Sequence, residues 1–236
     1  MAVAPPVVSG TVLVMARPQI IGIPGGRLGQ LRFIEFRKAL LHGGAALLLT
    51  VGCILVLTRL EGTLMLVAVV AGGCGALVEA YRFHQAEGAI GRLTAGWRAE
   101  RRVGKSLRSA TAEMVIHGAV IGRTGDCDHI VLGPCAAAVE TKHGRGPVTI
   151  HDGSLMMRGR RLPRDPIAQA QRQARVAGDL FGARVTAVLC IAEMTNRPFL
   201  FDGVYVCNAS DVNAVIAGLP SILRPGDAAR LAAKIR

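Results

Sequence analysis

Two apolar runs dominate the first third of the chain. Residues 39–58, ALLHGGAALLLTVGCILVLT, contain no Asp, Glu, Lys or Arg, and residues 63–81, TLMLVAVVAGGCGALVEAY, contain only Glu79. As a helix the first run is about 30 Å long, the thickness of a bilayer's hydrocarbon core. Neither run shows a polar face, which argues against a pair of core helices in a soluble protein. The short link at 59–62 forces an antiparallel pair. The small residues Ala71, Gly72, Gly73, Gly75 and Ala76 would let the two helices, or two copies of the chain, approach closely. The pattern predicts a two-helix transmembrane hairpin over 39–81 (39–58 and 63–81). Ahead of it, the basic, Pro- and Gly-rich segment 1–38 is expected to be flexible, with little fixed structure until about Gln30.

After residue 82 the pattern changes. Residues 82–95, rich in Gly and charge, read as a linker, and a domain is expected over 96–220. Residues 97–110 read as a helix with Trp97, Val103 and Leu107 turned inward. An extended run follows at 114–121. Next comes a hairpin at 126–142, in which His129 to Leu132 and Ala136 to Val139 flank a Gly133-Pro134 turn. A second hairpin, 147–151 with 154–158, turns at Asp152-Gly153. Asp165-Pro166 starts a helix with the acid as cap and proline in its first turn. Ile167, Ala170, Ala174, Ala177 and Phe181 form its apolar stripe, and Gln169 and Gln173 sit beside it. Residues 185–192 and 204–207 read as buried strands, 210–218 as a short helix capped by Ser210, and 221–236 as a peripheral helical tail.

Charge adds partners and orientation. The net charge of +12 favours polyanions, either nucleic acid or anionic lipid. Arginines and lysines flank both ends of the hairpin and the link between its helices has one Arg and one Glu, so the positive-inside rule places both termini in the cytoplasm. The expected location is a bacterial plasma membrane, crossed twice. Six scattered cysteines form no disulfide framework, and the spacing of Cys127, His129, Cys135 and His143 fits no common zinc finger.

The hairpin at 126–142 carries the candidate chemistry. Glu140 and Lys142, two apart, share a strand face, and antiparallel pairing brings Asp128 opposite residues 139–141. Two converging carboxylates are hard ligands for Mg²⁺ or Mn²⁺, and a lysine beside them can orient a water or neutralise charge on phosphoryl oxygens. That set suits phosphodiester hydrolysis. The plain alternative is a set of solubilising residues on an exposed hairpin edge.

Taken together, Glu100-x-x-Val103-x-x-x-Leu107, Asp126-x-Asp128-His129-Ile130-Val131, Glu140-Thr141-Lys142 followed by Gly144, and Pro166-x-x-Gln169 resemble the nuclease-related domain (NERD) family of the PD-(D/E)xK superfamily. The resemblance covers roughly residues 96–192. It implies an α/β fold: a restriction-endonuclease-like αβββαβ core with a mixed sheet. It also implies that Asp128 and Glu140 bind the divalent metal, with the Thr141 carbonyl as a third ligand, and that Lys142 positions the water or stabilises the transition state. Glu100 would be an auxiliary acid and Gln169 would help arrange the site. The plain readings are an ion pair of Glu100 with Arg101 or Lys105, and a surface amide for Gln169. Asp126 reads as a turn residue, and His129 is expected to point away from the site. Arg158, Arg160, Arg161 and Arg164 would grip phosphates or contact anionic lipid. The chain departs from the family pattern at Ala99, where Gly is common, at Asp165, where Asn is usual, and in the three alanines 136–138 that lead into Glu140.

These readings lead to a membrane-anchored nuclease acting on DNA, or on RNA, at the cytoplasmic face, with a homodimer suited to cutting both strands of a duplex. The competing readings are a non-catalytic module that holds nucleic acid or a protein at the membrane, and a scaffold whose basic flanks bind lipid. A binding module has no need of Asp128, Glu140 and Lys142 together, whereas hydrolysis does.

Overall fold

The computed structural model describes residues 17–57, 62–121 and 126–235, with the backbone alone at 57, 63–66 and 68. Residues 1–16 of the expected flexible segment, and most of the link at 59–62, lie outside the described residues. Strand β1 (Gln19–Ile21) leads into helix α1 (Gly26–Leu57), and α2 (Thr63–Leu107) follows. The domain then runs β2 (Met114–Val120), β3 (Asp126–Leu132), β4 (Ala136–Gly146), β5 (Val148–His151), β6 (Ser154–Met157), β7 (Arg160–Arg161), α3 (Pro166–Phe181), β8 (Thr186–Met194), β9 (Phe199–Phe201) and β10 (Val204–Cys207). Two short helices, α4 (Val212–Ala217) and α5 (Asp227–Ala232), close it. From α2 to β8 the principal elements are a helix, three strands, a helix and a strand, the expected αβββαβ order.

The main sheet has seven strands in the order β1-β2-β3-β4-β8-β10-β9 and is mixed. β2, β3 and β4 are antiparallel neighbours, whereas β4 pairs in parallel with β8, a pairing that needs the α3 crossover. Strands β5 to β7 form a separate small sheet. Its first turn is the expected one, with Asp152 and Gly153 both at positive φ, 46° and 66°.

Helices cover both faces of the sheet. On one face Ile130, Leu132, Ala136, Ala138, Leu189 and Ile191 meet the α3 stripe of Ile167, Ala170, Ala174, Ala177 and Phe181. Alanine on β4 facing alanine on α3 lets helix and strand approach closely, which is why bulky residues are absent before Glu140. On the other face Val115, Val131, Ala137, Val139 and Val188 pack under Val103 and Leu107 of α2 and Val212, Val215 and Ile216 of α4. Fully burying a side chain such as Leu107 stabilises by about 1.5–3 kcal/mol.

Several expectations need correction. The first 38 residues are not all irregular, since β1 pairs with β2 and α1 begins at Gly26. Residues 82–95 are helical and lie within the 45-residue α2. Among the described residues one helix, Gly26–Val56, is long and apolar enough to cross a membrane. The second apolar run, expected as a span of its own, is the leading part of α2, which continues into charged sequence, so one span and not two is shown among the described residues. α2 does lie against α1: His42 Nδ1 is 2.6 Å from Glu79 Oε2, and a Cβ on Gly72 would collide with Cys53. The C-terminal segment is not peripheral, because Ala228 and Leu231 are buried in the main core. Asp211, not Ser210, occupies the cap position of α4.

Candidate active site

The register of the hairpin assembles the site. His129 pairs with Val139, so Asp128 on β3 stands opposite Glu140 on β4. By alternation both project to the face that α3 covers, with Ile130 and Ala138. The Thr141 N–H donates to Asp128 Oδ2 at 2.7 Å. Lys142 Nζ donates to Glu140 Oε1 at 2.5 Å and to Gln169 Oε1 at 2.9 Å. Helix α3 is aimed by its first turn, where the Asp165 carboxylate accepts from Ala168 N–H and Pro166 fixes the backbone. Glu140 has 3% of its side chain exposed, and Lys142 24%.

Gln173, one turn beyond Gln169, had no assigned role, yet it is the most connected amide here. Its Nε2 donates to Glu140 Oε2 at 2.6 Å and to the Asp126 carbonyl at 2.9 Å. The spacing of Gln169 and Gln173 was the visible signal, since residues four apart share a helix face.

A cleft of about 500 Å³ opens over these groups, lined by Glu100 of α2, Asp126 and Asp128 of β3, Arg164, and Gln169, Arg172 and Gln173 of α3. Gly26, Arg27, Leu28 and Leu31 of α1 and Gly118 of β2 complete it. Burial, then repulsion from Glu140, pushes the Glu100 carboxyl up to about 7, against the Gly25 backbone N–H that favours its ionised form. Burial also pushes Asp128 well above the usual carboxylate range, with Glu140 and Glu100 adding to the effect and the Thr141 N–H and Lys142 opposing it. Glu100, Asp128 and Glu140 thus crowd one end of the cleft, where Lys142 is the cation that opposes their repulsion.

Other expected residues fall differently. Asp126 is not a turn residue: it opens β3 and pairs with Arg27 on the cleft wall. His129 points away as expected, fully buried, its Nδ1 2.7 Å from Nδ1 of His117. Of the four arginines at 158–164, Arg164 lines the cleft. Arg158 instead donates to the Arg145 carbonyl at 3.1 Å, and Arg160 and Arg161 are exposed on β7 in the small sheet. That sheet's own pairing carries them, so closeness in sequence does not gather the four at one place.

Among the described residues no three His, Cys, Asp or Glu side chains are grouped to hold a metal. The oxygen donors present still suit a hard dication, which needs only one or two carboxylates beside its waters. Asp128 and Glu140 would supply those, and their mutual repulsion is what a dication would relieve.

No curated protein and no solved structure matches the chain. Residues 95–193 match the family model of the nuclease-related domain, NERD, and the αβββαβ order is consistent with the PD-(D/E)xK superfamily; this part of the chain is a nuclease-related domain.

Proposed function

We propose that the chain is a metal-dependent nuclease that hydrolyses phosphodiester bonds of DNA beside a membrane. The convergence of Asp128, Glu140, Lys142 and Gln169 at one cleft carries this reading. Asp128, Glu140 and the Thr141 carbonyl would hold Mg²⁺ or Mn²⁺, which supplies Lewis acidity toward phosphoryl oxygens. Lys142 brings a positive charge to the place where charge builds on the phosphate, and Gln169 fixes its ammonium. Gln173 holds the Glu140 carboxylate in orientation. Glu100 enters from α2 as an auxiliary acid.

Membrane attachment rests on α1. β1, ahead of α1, shares a sheet with the strands that follow α2, so a chain entering a bilayer along α1 must come back along α2. The positive flanks then put both the arm and the domain on the cytoplasmic side.

The test is cleavage of supercoiled plasmid and of a single-stranded circle by the full chain in detergent, with Mg²⁺ or Mn²⁺, beside Asp128→Ala and Lys142→Ala. Metal-dependent nicking that is lost in both variants is the expected result. A folded wild-type chain that binds DNA without cutting it under either metal would sink the catalytic reading and leave a tethered binding module.

A further inference from the structure

Residues 17–31 lie outside the NERD match, yet they build one wall of its cleft. β1 extends the sheet in parallel, with Gln19 beside Met114 and Ile21 beside Ile116, and the Gln19 N–H donates to the Glu113 carbonyl at 2.8 Å. The turn that follows has no room for side chains at two positions. A Cβ on Gly22, at φ 81°, would stand 2.5 Å from the His117 carbonyl oxygen, and one on Gly25, at φ 72°, 2.7 Å from Trp97 Cδ1. Arg32 and Arg101 then stack on Trp97, at 4.7 and 4.8 Å from the ring centroid. This arm is seated, and it sets Arg27, in the first turn of α1, at the cleft.

Arg27 pairs with Asp126 yet keeps 65% of its side chain exposed. A guanidinium has five donors in a rigid fork, so one carboxylate leaves donors facing the opening. Arg164 and Arg172 line the same cleft, so arginines from three separate segments surround the acids. Such a ring suits an anion larger than an ion-pair partner, and nucleic-acid phosphates are bound in this way.

We propose that Arg27 is a substrate-binding residue, which grips a backbone phosphate of the nucleic acid together with Arg164 and Arg172. Asp126 holds it in place and is exchanged for the phosphate when substrate enters. The assignment rests on the nuclease reading, and it makes the first turn of α1, ahead of the uncharged run, part of the substrate site.

The experiment measures binding of a fluorescent single-stranded oligonucleotide to the full chain in detergent, in EDTA, over a range of salt. Arg27→Gln should weaken binding about tenfold and reduce the slope of log affinity against log salt by about one, the signature of one lost phosphate contact. Asp126→Asn should bind at least as tightly as wild type, because it frees the guanidinium. Should Arg27→Gln fail to fold, Asp126→Asn decides alone, and weaker binding overturns the assignment. A wild-type chain that binds and cuts, with Arg27→Gln matching its affinity and slope, overturns this assignment and leaves the nuclease reading standing. A wild-type chain that binds no nucleic acid removes both.

Discussion

The ammonium of Lys142 lies 2.5 Å from the carboxylate of Glu140, two residues earlier on the same face of β4. Lys142→Ala should lower cleavage by about a hundredfold or more, the usual cost of losing one preorganised donor at a developing charge. Affinity for DNA should change little, because the cleft arginines remain. Single-turnover cleavage and equilibrium binding on the same preparation check this, and unchanged cleavage would remove Lys142 from the mechanism.

Gln173 is buried, with both hydrogen bonds of its Nε2 made to the site. Gln173→Leu leaves Glu140 Oε2 without that donor, and the expected loss of stability is about 1–3 kcal/mol. Urea unfolding gives the size. A variant as stable as wild type would mean that water replaces the amide without cost.

His117 and His129 are buried against each other, and burial holds the first down at about 4 and the second well below the ordinary histidine value. Both are neutral in the fold at pH 7. As pH falls below about 6.5 the unfolded chain takes up protons that the native state refuses, so stability drops with decreasing pH. The loss continues to about 4, where His117 protonates in the native state as well. The raised carboxyls of Glu100 and Asp128 act in the opposite direction over the same range. The histidine contribution is therefore read as the difference between wild type and a His117→Gln, His129→Gln double variant in unfolding curves between pH 7.5 and 4.5. Wild type should lose more stability than the variant as pH falls.

Glu100, held up to about 7 by burial and Glu140, is neutral below that pH and ionised above it. In EDTA, affinity for an oligonucleotide should fall as pH rises from 6 to 8, since a negative charge appears in the cleft. Glu100→Gln should abolish that dependence. An identical pH profile in the variant would assign the effect to another group.

A Cβ on Gly25 would run into the indole of Trp97, where α2 approaches the arm. Gly25→Ala puts a side chain into that contact at positive φ, at a cost of about 1–3 kcal/mol. Trp97 fluorescence would report the displaced arm. An unchanged emission spectrum and midpoint would show that the contact is dispensable.

The hairpin register was legible because alternation and a Gly-Pro turn fix pairing locally, and Asp128 and Glu140 came out opposite each other. Helix α3 was legible from Asp165-Pro166 and its stripe. The continuity of α2 was hidden by Gly88, Gly91 and Gly96, which read as breaks. Gly96 instead makes room for α1, since a Cβ there would be 3.1 Å from Leu28 Cδ1. Tertiary packing overrode propensity there. β1 and Arg27 were invisible for a related reason: three residues pairing with a strand almost a hundred positions away leave no periodic trace. Asp126 was misread because its partner, Arg27, was still assigned to a flexible segment.

On the membrane reading proposed above, helix α1 would also act as a height gauge. Arg27 at the cleft and Ala39, where the uncharged run starts, are twelve residues apart on one unbroken helix, a rise of about 18 Å. With that run in a bilayer, the cleft rides at a fixed stand-off from the lipid instead of swinging on a leash. On the proposed function its working volume would be a thin layer parallel to the membrane, where strands lying along the surface or emerging through it would be met and those farther away passed over.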